Sequence, residues 1–307
     1  MFYAITSKRK GCGRSTLALL SSMMVYNKTK GSTLLVDLGS NNDFSSILNL
    51  KRPNSSIDNL ISAISLQLDE LDFENNIVHT GSFYLLPGTA IKQPRYLEKR
   101  CNDIVYLLKE LESKFNTIIL DVDYTLYGDL VDCGLDIIPI HVLEQNMLNV
   151  EGYHRDIQTQ IFEGFYVVNR YEPNVFPQME LFEKNFKRNS LICVKKDNEL
   201  KSNINRKKVD IGLIKGSSVF EGVSQLADVI SENLNVIEKE FSDKHVKKQS
   251  SFFTKLFGKK SKPAPSKNNP KQTATKAVKR TKSTNGKPSN VKTASSKPSS
   301  KSQRKGD

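Results

Sequence analysis

The sequence predicts an α/β fold: a mostly parallel sheet flanked by helices on both faces. Short, uninterrupted apolar runs recur at residues 2–5, 32–36, 116–120, 137–142 and 164–168. Strands that are apolar on every residue belong to sheets buried on both sides. Between these runs lie segments whose apolar residues return at helical spacing, the strand–helix alternation of a parallel sheet. A third observation is positional. The loop Gly11–Thr16, together with Asp37, Asp121 and Asn169, stands beyond the carboxyl ends of apolar runs, where open α/β sheets gather their ligands.

The first strand is expected over residues 2–5. The first helix covers 17–26, where Leu17, Ala18, Leu20 and Met24 share helical spacing. Residues 32–37 form a second strand closing on Asp37, followed by a polar turn as far as Asp43. Helices are expected over 44–50 and 57–68, and a third strand over 82–86 stops at the Pro87-Gly88 turn. Residues 97–115 read as a helix with Ile104, Leu107, Leu108 and Leu111 on one face. Strands follow at 116–120, ending at Asp121, at 137–142, at 164–168, ending at Asn169, and at 191–194; residues 218–240 form a closing helix.

Charge divides the chain in two. Its 46 Lys/Arg and 33 Asp/Glu give a net +13, but 19 of the bases and only one acid, Asp307, lie from Lys244 onward. The remaining 27 bases and 32 acids make the first 243 residues an acidic body of −5, followed by a basic tail of +18. Such a tail concerns partners more than fold. Residues 261–307 are rich in Lys, Ser and Pro and poor in apolar residues, so a disordered tail is expected there. No apolar run approaches the roughly 20 residues of a membrane span, and the short N-terminal apolar segment does not read as a signal peptide. Cys12, Cys101, Cys133 and Cys193 show neither close pairing nor metal spacing, which points to reduced thiols in the cytoplasm. His79, His141, His154 and His245 are scattered and form no catalytic constellation.

The chemistry centres on Arg9-Lys10-Gly11-Cys12-Gly13-Arg14-Ser15-Thr16. Strand, glycine loop and helix follow one another, the context of a phosphate-binding loop. Backbone N–H groups of such a loop face phosphate oxygens, and the helix N-terminus adds partial positive charge. Gly11 and Gly13 permit the close approach and unusual dihedrals that a side chain would block. Ser15 stands where a hydroxyl would meet Mg²⁺. The strict pattern closes on Gly-Lys-Ser/Thr; this chain has Gly13-Arg14-Ser15, and a planar, forked guanidinium is no simple replacement for an ammonium group. The alternative is a basic surface turn opening an ordinary α/β helix.

The loop, Leu34-Leu35-Val36-Asp37, Tyr84-Leu85-Leu86-Pro87-Gly88, Ile118-Ile119-Leu120-Asp121, Val167-Val168-Asn169-Arg170 and Ala227-Asp228-Val229-Ile230 occur in an order and spacing that resembles the MinD/ParA-like P-loop ATPases, over nearly all of residues 1–240. Within that family the likeness is nearest to MinD and to the pilus-localisation proteins CpaE and TadZ. The resemblance implies ATP and Mg²⁺ as cofactors and a nucleotide-dependent homodimer. It places Arg9 where a lysine reaches the partner's nucleotide, and Arg14 where a lysine contacts the phosphates; Lys10 replaces a loop glycine. Asp37 matches the first switch carboxylate and Asp121 the Walker B aspartate, both near Mg²⁺ with Ser15. Gly39 stands where MinD-like members carry an aspartate that positions the attacking water. Asn169 matches the residue that reads the adenine edge, although by itself it reads equally as a strand-end turn cap. Changes at Arg9, Arg14 and Gly39 imply nucleotide binding with slow hydrolysis or none.

Residues 241–249 read as a linker. In 250–260, Phe252, Phe253, Leu256 and Phe257 fall within one helical arc, with Lys255, Lys259 and Lys260 at its margins. That pattern suits an amphipathic segment lying on an anionic membrane, and it resembles the C-terminal targeting segment of MinD. A last helical turn docked on the body, or a protein-partner motif, remains the other reading. The tail could reinforce membrane attachment, contact DNA non-specifically or simply solubilise the chain. Three functions follow. One is a nucleotide-dependent spatial regulator or recruiter, peripheral on the inner face of the cell membrane, serving a pilus, secretion or division assembly through an unidentified protein partner. The second is a DNA-partitioning ATPase. The third is a non-hydrolysing scaffold.

Overall fold

The structure, a computed structural model, describes residues 1–39, 43–50, 55–93, 95–158, 164–186 and 190–231. The expected linker, amphipathic segment and basic tail, including Phe252, Phe253, Lys255, Leu256, Phe257, Lys259 and Lys260, lie outside the described residues.

Eight strands form one sheet: β1 (Phe2–Thr6), β2 (Thr33–Leu38), β3 (Val78–His79), β4 (Tyr84–Leu86), β5 (Thr117–Val122), β6 (Ile137–Glu144), β7 (Phe165–Tyr171) and β8 (Leu191–Lys195). Their order across the sheet is β3-β4-β2-β5-β1-β6-β7-β8. The pairings are parallel except at one edge, where β3 runs antiparallel to β4. The helices are α1 (Arg14–Thr29), α2 (Asp43–Ile47), α3 (Ile57–Ser65), α4 (Phe73–Asn76), α5 (Cys101–Glu112), α6 (Tyr124–Asp132), α7 (Met147–Gln158), α8 (Met179–Asn185), α9 (Asn198–Asn205), α10 (Ile211–Lys215) and α11 (Phe220–Ser231).

Strand periodicity explains why the apolar runs are unbroken. Tyr3, Ile5, Leu35 and Ile119 face α1 and α11, whereas Phe2, Ala4, Leu34, Val36, Ile118 and Leu120 face α3, α5 and α6. Alternate residues thus enter opposite cores, and both faces must be apolar. All six residues of β2 are buried.

Every strand except the edge strand β3, and the first helices, fall where the sequence predicts them, with differences at the ends. The helix expected over 57–68 stops at Ser65, just before Gln67 enters the left-handed region at φ +55°. The helix expected over 97–115 begins with a 3₁₀ turn, Glu98–Arg100, before α5. The described part of the closing helix is α11. Helices α4, α7 and α8 were not anticipated. Nor were helices α6, α9 and α10. Each is opened by an aspartate that accepts a hydrogen bond from a backbone N–H of its first turn: Asp123 from Leu126, Asp197 from Leu200 and Asp210 from Leu213. Such N-caps satisfy donors that the helix itself cannot. All four cysteines are free. Burial, followed by hydrogen bonding to Cys133, pushes the Cys101 thiol up to about 12, which suits a packing role.

Candidate functional site

The glycine loop leaves β1 and is tied down on one side by β6 and α7. Ser7 Oγ donates to the Val142 carbonyl at 2.8 Å, and the Lys8 N–H donates to Tyr153 Oη at 2.9 Å. The Lys8 ammonium lies over the Tyr153 and Tyr124 rings, 4.8 and 5.2 Å from their centroids. Arg9 and Lys10 are exposed at the rim.

β7 holds the crest of the loop. Asn169 Nδ2 donates to the Cys12 carbonyl at 2.8 Å, and Arg170 Nη1 donates to the Gly11 carbonyl at 2.9 Å. In a trans peptide the next residue's N–H points opposite to the carbonyl. The N–H groups of Cys12 and Gly13 therefore point away from β7, toward the open side of the loop. Gly11 and Gly13 both take left-handed φ, +83° and +87°. A Cβ on Gly13 would overlap the Asn169 amide. Gly13 then caps α1, whose first backbone bond runs from Leu17 N–H to the Gly13 carbonyl at 3.0 Å. Arg14, Ser15 and Thr16 form the first turn, which leaves N–H groups directed at the crevice.

The opposite wall is acidic. Asp37 and Asp121 are register partners at the ends of β2 and β5 and are almost fully buried, at 2% and 1% exposure. They share the parity of Leu35 and Ile119, so both carboxylates turn to the α1 side. Asp37 Oδ1 accepts from the Gly39 N–H at 3.0 Å. Asp121 Oδ1 accepts from Arg14 Nε at 2.5 Å. A Cβ on Gly39 would lie 3.1 Å from Asp37 Oδ1, 3.5 Å from Arg14 Nη2 and 3.7 Å from Asp121 Oδ2. Guanidinium and both carboxylates thus crowd around one point left open by a glycine. Gly88 packs as closely on the other side of Asp37, where a Cβ would stand 2.8 Å from its Cγ.

The residues expected near Mg²⁺ are together at this end of the sheet, but Arg14 stands against Asp121. In this arrangement the Asp121 carboxylate already holds a guanidinium, so it does not fit a hydrated magnesium ion. Among the described residues, no group of three or more His, Cys, Asp or Glu side chains is placed to hold a metal.

Beyond Asn169 a cleft of about 180 Å³ opens between α1 and α9, lined by Thr16, Asn169, Arg170, Asp197, Leu200 and Val219 among others. Asp197 shapes its floor. It caps α9 through Leu200 at 2.7 Å and also accepts from the Ser218 N–H at 2.9 Å and from Ser218 Oγ at 3.0 Å. The Leu200 N–H foremost, and Ser218 with it, hold this carboxyl below its ordinary range against the opposing effect of burial.

The loop residues Lys10, Gly11, Cys12, Gly13, Arg14, Ser15 and Thr16 therefore meet Asp37, Asp121 and Asn169 at one end of the sheet, as the strand-end positions predict. Arg170, Lys8 and Asp197 were not anticipated as parts of the site. Only the dipeptide Asn169-Arg170, at a strand end, offered a signal for Arg170.

No family model matches the sequence, and no curated protein matches it either. Solved structures do. A plasmid partition protein of Borrelia burgdorferi B31 bound to AMPPNP superposes with TM-score 0.58 at 13% identity, over 76% of this chain and 99% of its own. The MinD of the MinC:MinD cell-division complex of Aquifex aeolicus gives 0.58 at 16% identity, over 76% and 96%. MinD of Pyrococcus horikoshii complexed with Mg-ADP gives 0.57 at 17% identity, over 77% and 98%. With the loop, the strand order and these neighbours in agreement, the chain has the MinD/ParA-like α/β fold.

Proposed function

We propose that the chain is a nucleotide-binding protein of partition or division type, in which nucleotide occupancy rather than rapid turnover is the output. One observation supports this above the others. The Gly11 and Cys12 carbonyls are drawn to β7, which turns the Cys12 and Gly13 N–H groups toward the helix N-terminus. A row of inward amides beside a helix N-terminus is an anion cradle. The triphosphate of ATP would lie there, with the exposed cations Arg9 and Lys10 at its rim and the base in the cleft beside Asn169. Two of the fold neighbours carry AMPPNP and Mg-ADP.

Slow or absent hydrolysis fits the other wall. Gly39 brings no carboxylate to orient water, and Arg14 is engaged by Asp121. Each loss removes an element of transition-state preorganisation. Arg9 and Asp37 would retain the residual catalytic roles. Nucleotide-dependent homodimers, with Arg9 facing the partner's phosphates, would sit peripherally on the inner membrane face through Phe252, Phe253, Leu256 and Phe257 and the lysines beside them, and there recruit a protein partner. A second reading is partition on DNA, favoured by the +18 tail and by a plasmid partition protein among the neighbours.

Calorimetric titration with ATP tests binding, and a flat trace would leave only a scaffold. Co-sedimentation with anionic liposomes, with and without residues 250–260, separates membrane from DNA. The membrane reading expects lipid binding to vanish on deletion. Unchanged lipid binding, together with DNA binding, favours partition.

A further inference from the structure

We propose that the Arg14 guanidinium takes the place of the divalent cation, so that this site binds the polyphosphate of a nucleotide in its metal-free form. The inference rests on the nucleotide-binding reading above and specifies the ligand further.

Two buried carboxylates side by side need a cation between them, because like charges in a dry site repel strongly and each loses its hydration. Asp37 and Asp121 are such a pair. The usual remedy at a phosphate site is Mg²⁺, which carries two charges and bridges a carboxylate, through water, to phosphate oxygens. In this chain a charged group already has that position: Arg14 Nε lies 2.5 Å from Asp121 Oδ1. Its Nη2 reaches into the space beside Gly39, where Asp37 Oδ1 and Asp121 Oδ2 also converge.

The chemistry of the group suits the substitution. Arginine has five N–H donors in a planar fork and stays protonated at any ordinary pH. Binding a carboxylate through Nε leaves the Nη hydrogens to meet a second anion, and guanidinium pairs with phosphate as readily as with carboxylate. Arg14 is also the first residue of α1, directly beside the amides of the loop. It can thus bridge Asp121 to a bound phosphate as a hydrated magnesium ion would. Lysine offers one compact ammonium and could not span both partners in this way. Gly39 completes the arrangement, because any side chain there would press on the guanidinium and on Asp37. Magnesium brought in with the nucleotide would have to displace Arg14 from a buried ion pair, so it should add little affinity.

The test is calorimetry on the full-length chain, titrated with ATP in EDTA and again in excess Mg²⁺. The expected result is an affinity that Mg²⁺ raises by less than about threefold. A larger rise overturns the metal-free site while leaving nucleotide binding intact. Silence in both buffers overturns both readings at once. Arg14→Lys, with thermal melting to confirm that it folds, is expected to gain Mg²⁺ dependence of about tenfold or more. A variant as indifferent to Mg²⁺ as the wild type would show that Arg14 is not the substitute cation. The wild-type comparison decides the matter even where the variant does not fold.

Discussion

The two walls of the crevice are held in different ways. On the β7 side, Asn169 and Arg170 hold two successive carbonyls of the loop, and Gly13 has no side chain because the Asn169 amide takes its place. This wall fixes the backbone, and backbone amides do not depend on which cation follows Gly13. On the side of β2 and β5, side chains meet instead: Arg14 pairs with the Asp121 carboxylate, and Asp37 accepts from the Gly39 N–H. The contrast suggests how binding and turnover can part within one fold. Under the proposed function, binding would rest on amides held by long-range hydrogen bonds, and turnover on a few charged side chains at one point.

The sharpest test of the first wall is Gly13→Ala. The new Cβ would meet the Asn169 amide, and alanine at φ +87° is strained as well. Strain of this kind costs about 1–3 kcal/mol. The expected outcome is loss of ATP affinity by about a hundredfold, with a lower melting temperature, measured by calorimetry and thermal denaturation. Retention of wild-type affinity would mean that the loop amides do not carry binding. The matching test of the second wall is the double variant Arg14→Lys, Gly39→Asp. It places an ammonium and a carboxylate at these two positions, and under the proposed function it is expected to raise the steady-state rate of ADP release by about tenfold or more. An unchanged rate would show that some other group limits turnover.

The two walls also differed in how plainly the sequence announced them. Uninterrupted apolar strands revealed the sheet, because burial on both faces leaves no alternation to hide them, and their ends marked Asp37, Asp121 and Asn169. The glycines revealed the loop. What the sequence concealed was partnership across long separations. Nothing local says that Arg14 reaches Asp121, 107 residues away, or that Arg170 grips Gly11, 159 residues away. The family resemblance implied that Arg14 would face a phosphate; only the packed structure shows a buried carboxylate within reach. Helices α6, α9 and α10 escaped notice because they are only nine, eight and five residues long, too short for a helical period to show, yet Asp123, Asp197 and Asp210 stood as capping signals ahead of them.

A smaller effect separates the holding role of Asn169 from a purely base-reading one. Asn169→Ala removes its hydrogen bond to Cys12, worth about 1 kcal/mol. ATP affinity should fall about fivefold, and the affinity for inorganic triphosphate should fall alongside, because the loop itself loosens. Loss confined to ATP would assign Asn169 to the base alone.

The smallest expected effect lies at the floor of the cleft and depends on pH. Asp197 bonds Leu200 and Ser218 and is held below its usual carboxyl range. Its ionised form is therefore favoured more in the folded chain than in the unfolded one. Stability from this charge is complete above the unfolded value of about 4 and disappears as pH falls through the folded value. Asp197→Asn keeps a capping oxygen but removes the charge. Urea unfolding at neutral pH should show a deficit of under about 1 kcal/mol, which shrinks as pH falls below about 4 toward the folded value. A deficit that stays constant across that range would place the loss in geometry rather than in charge. The cleft beside the phosphate loop would then be held by the shape of the Asp197 cap alone.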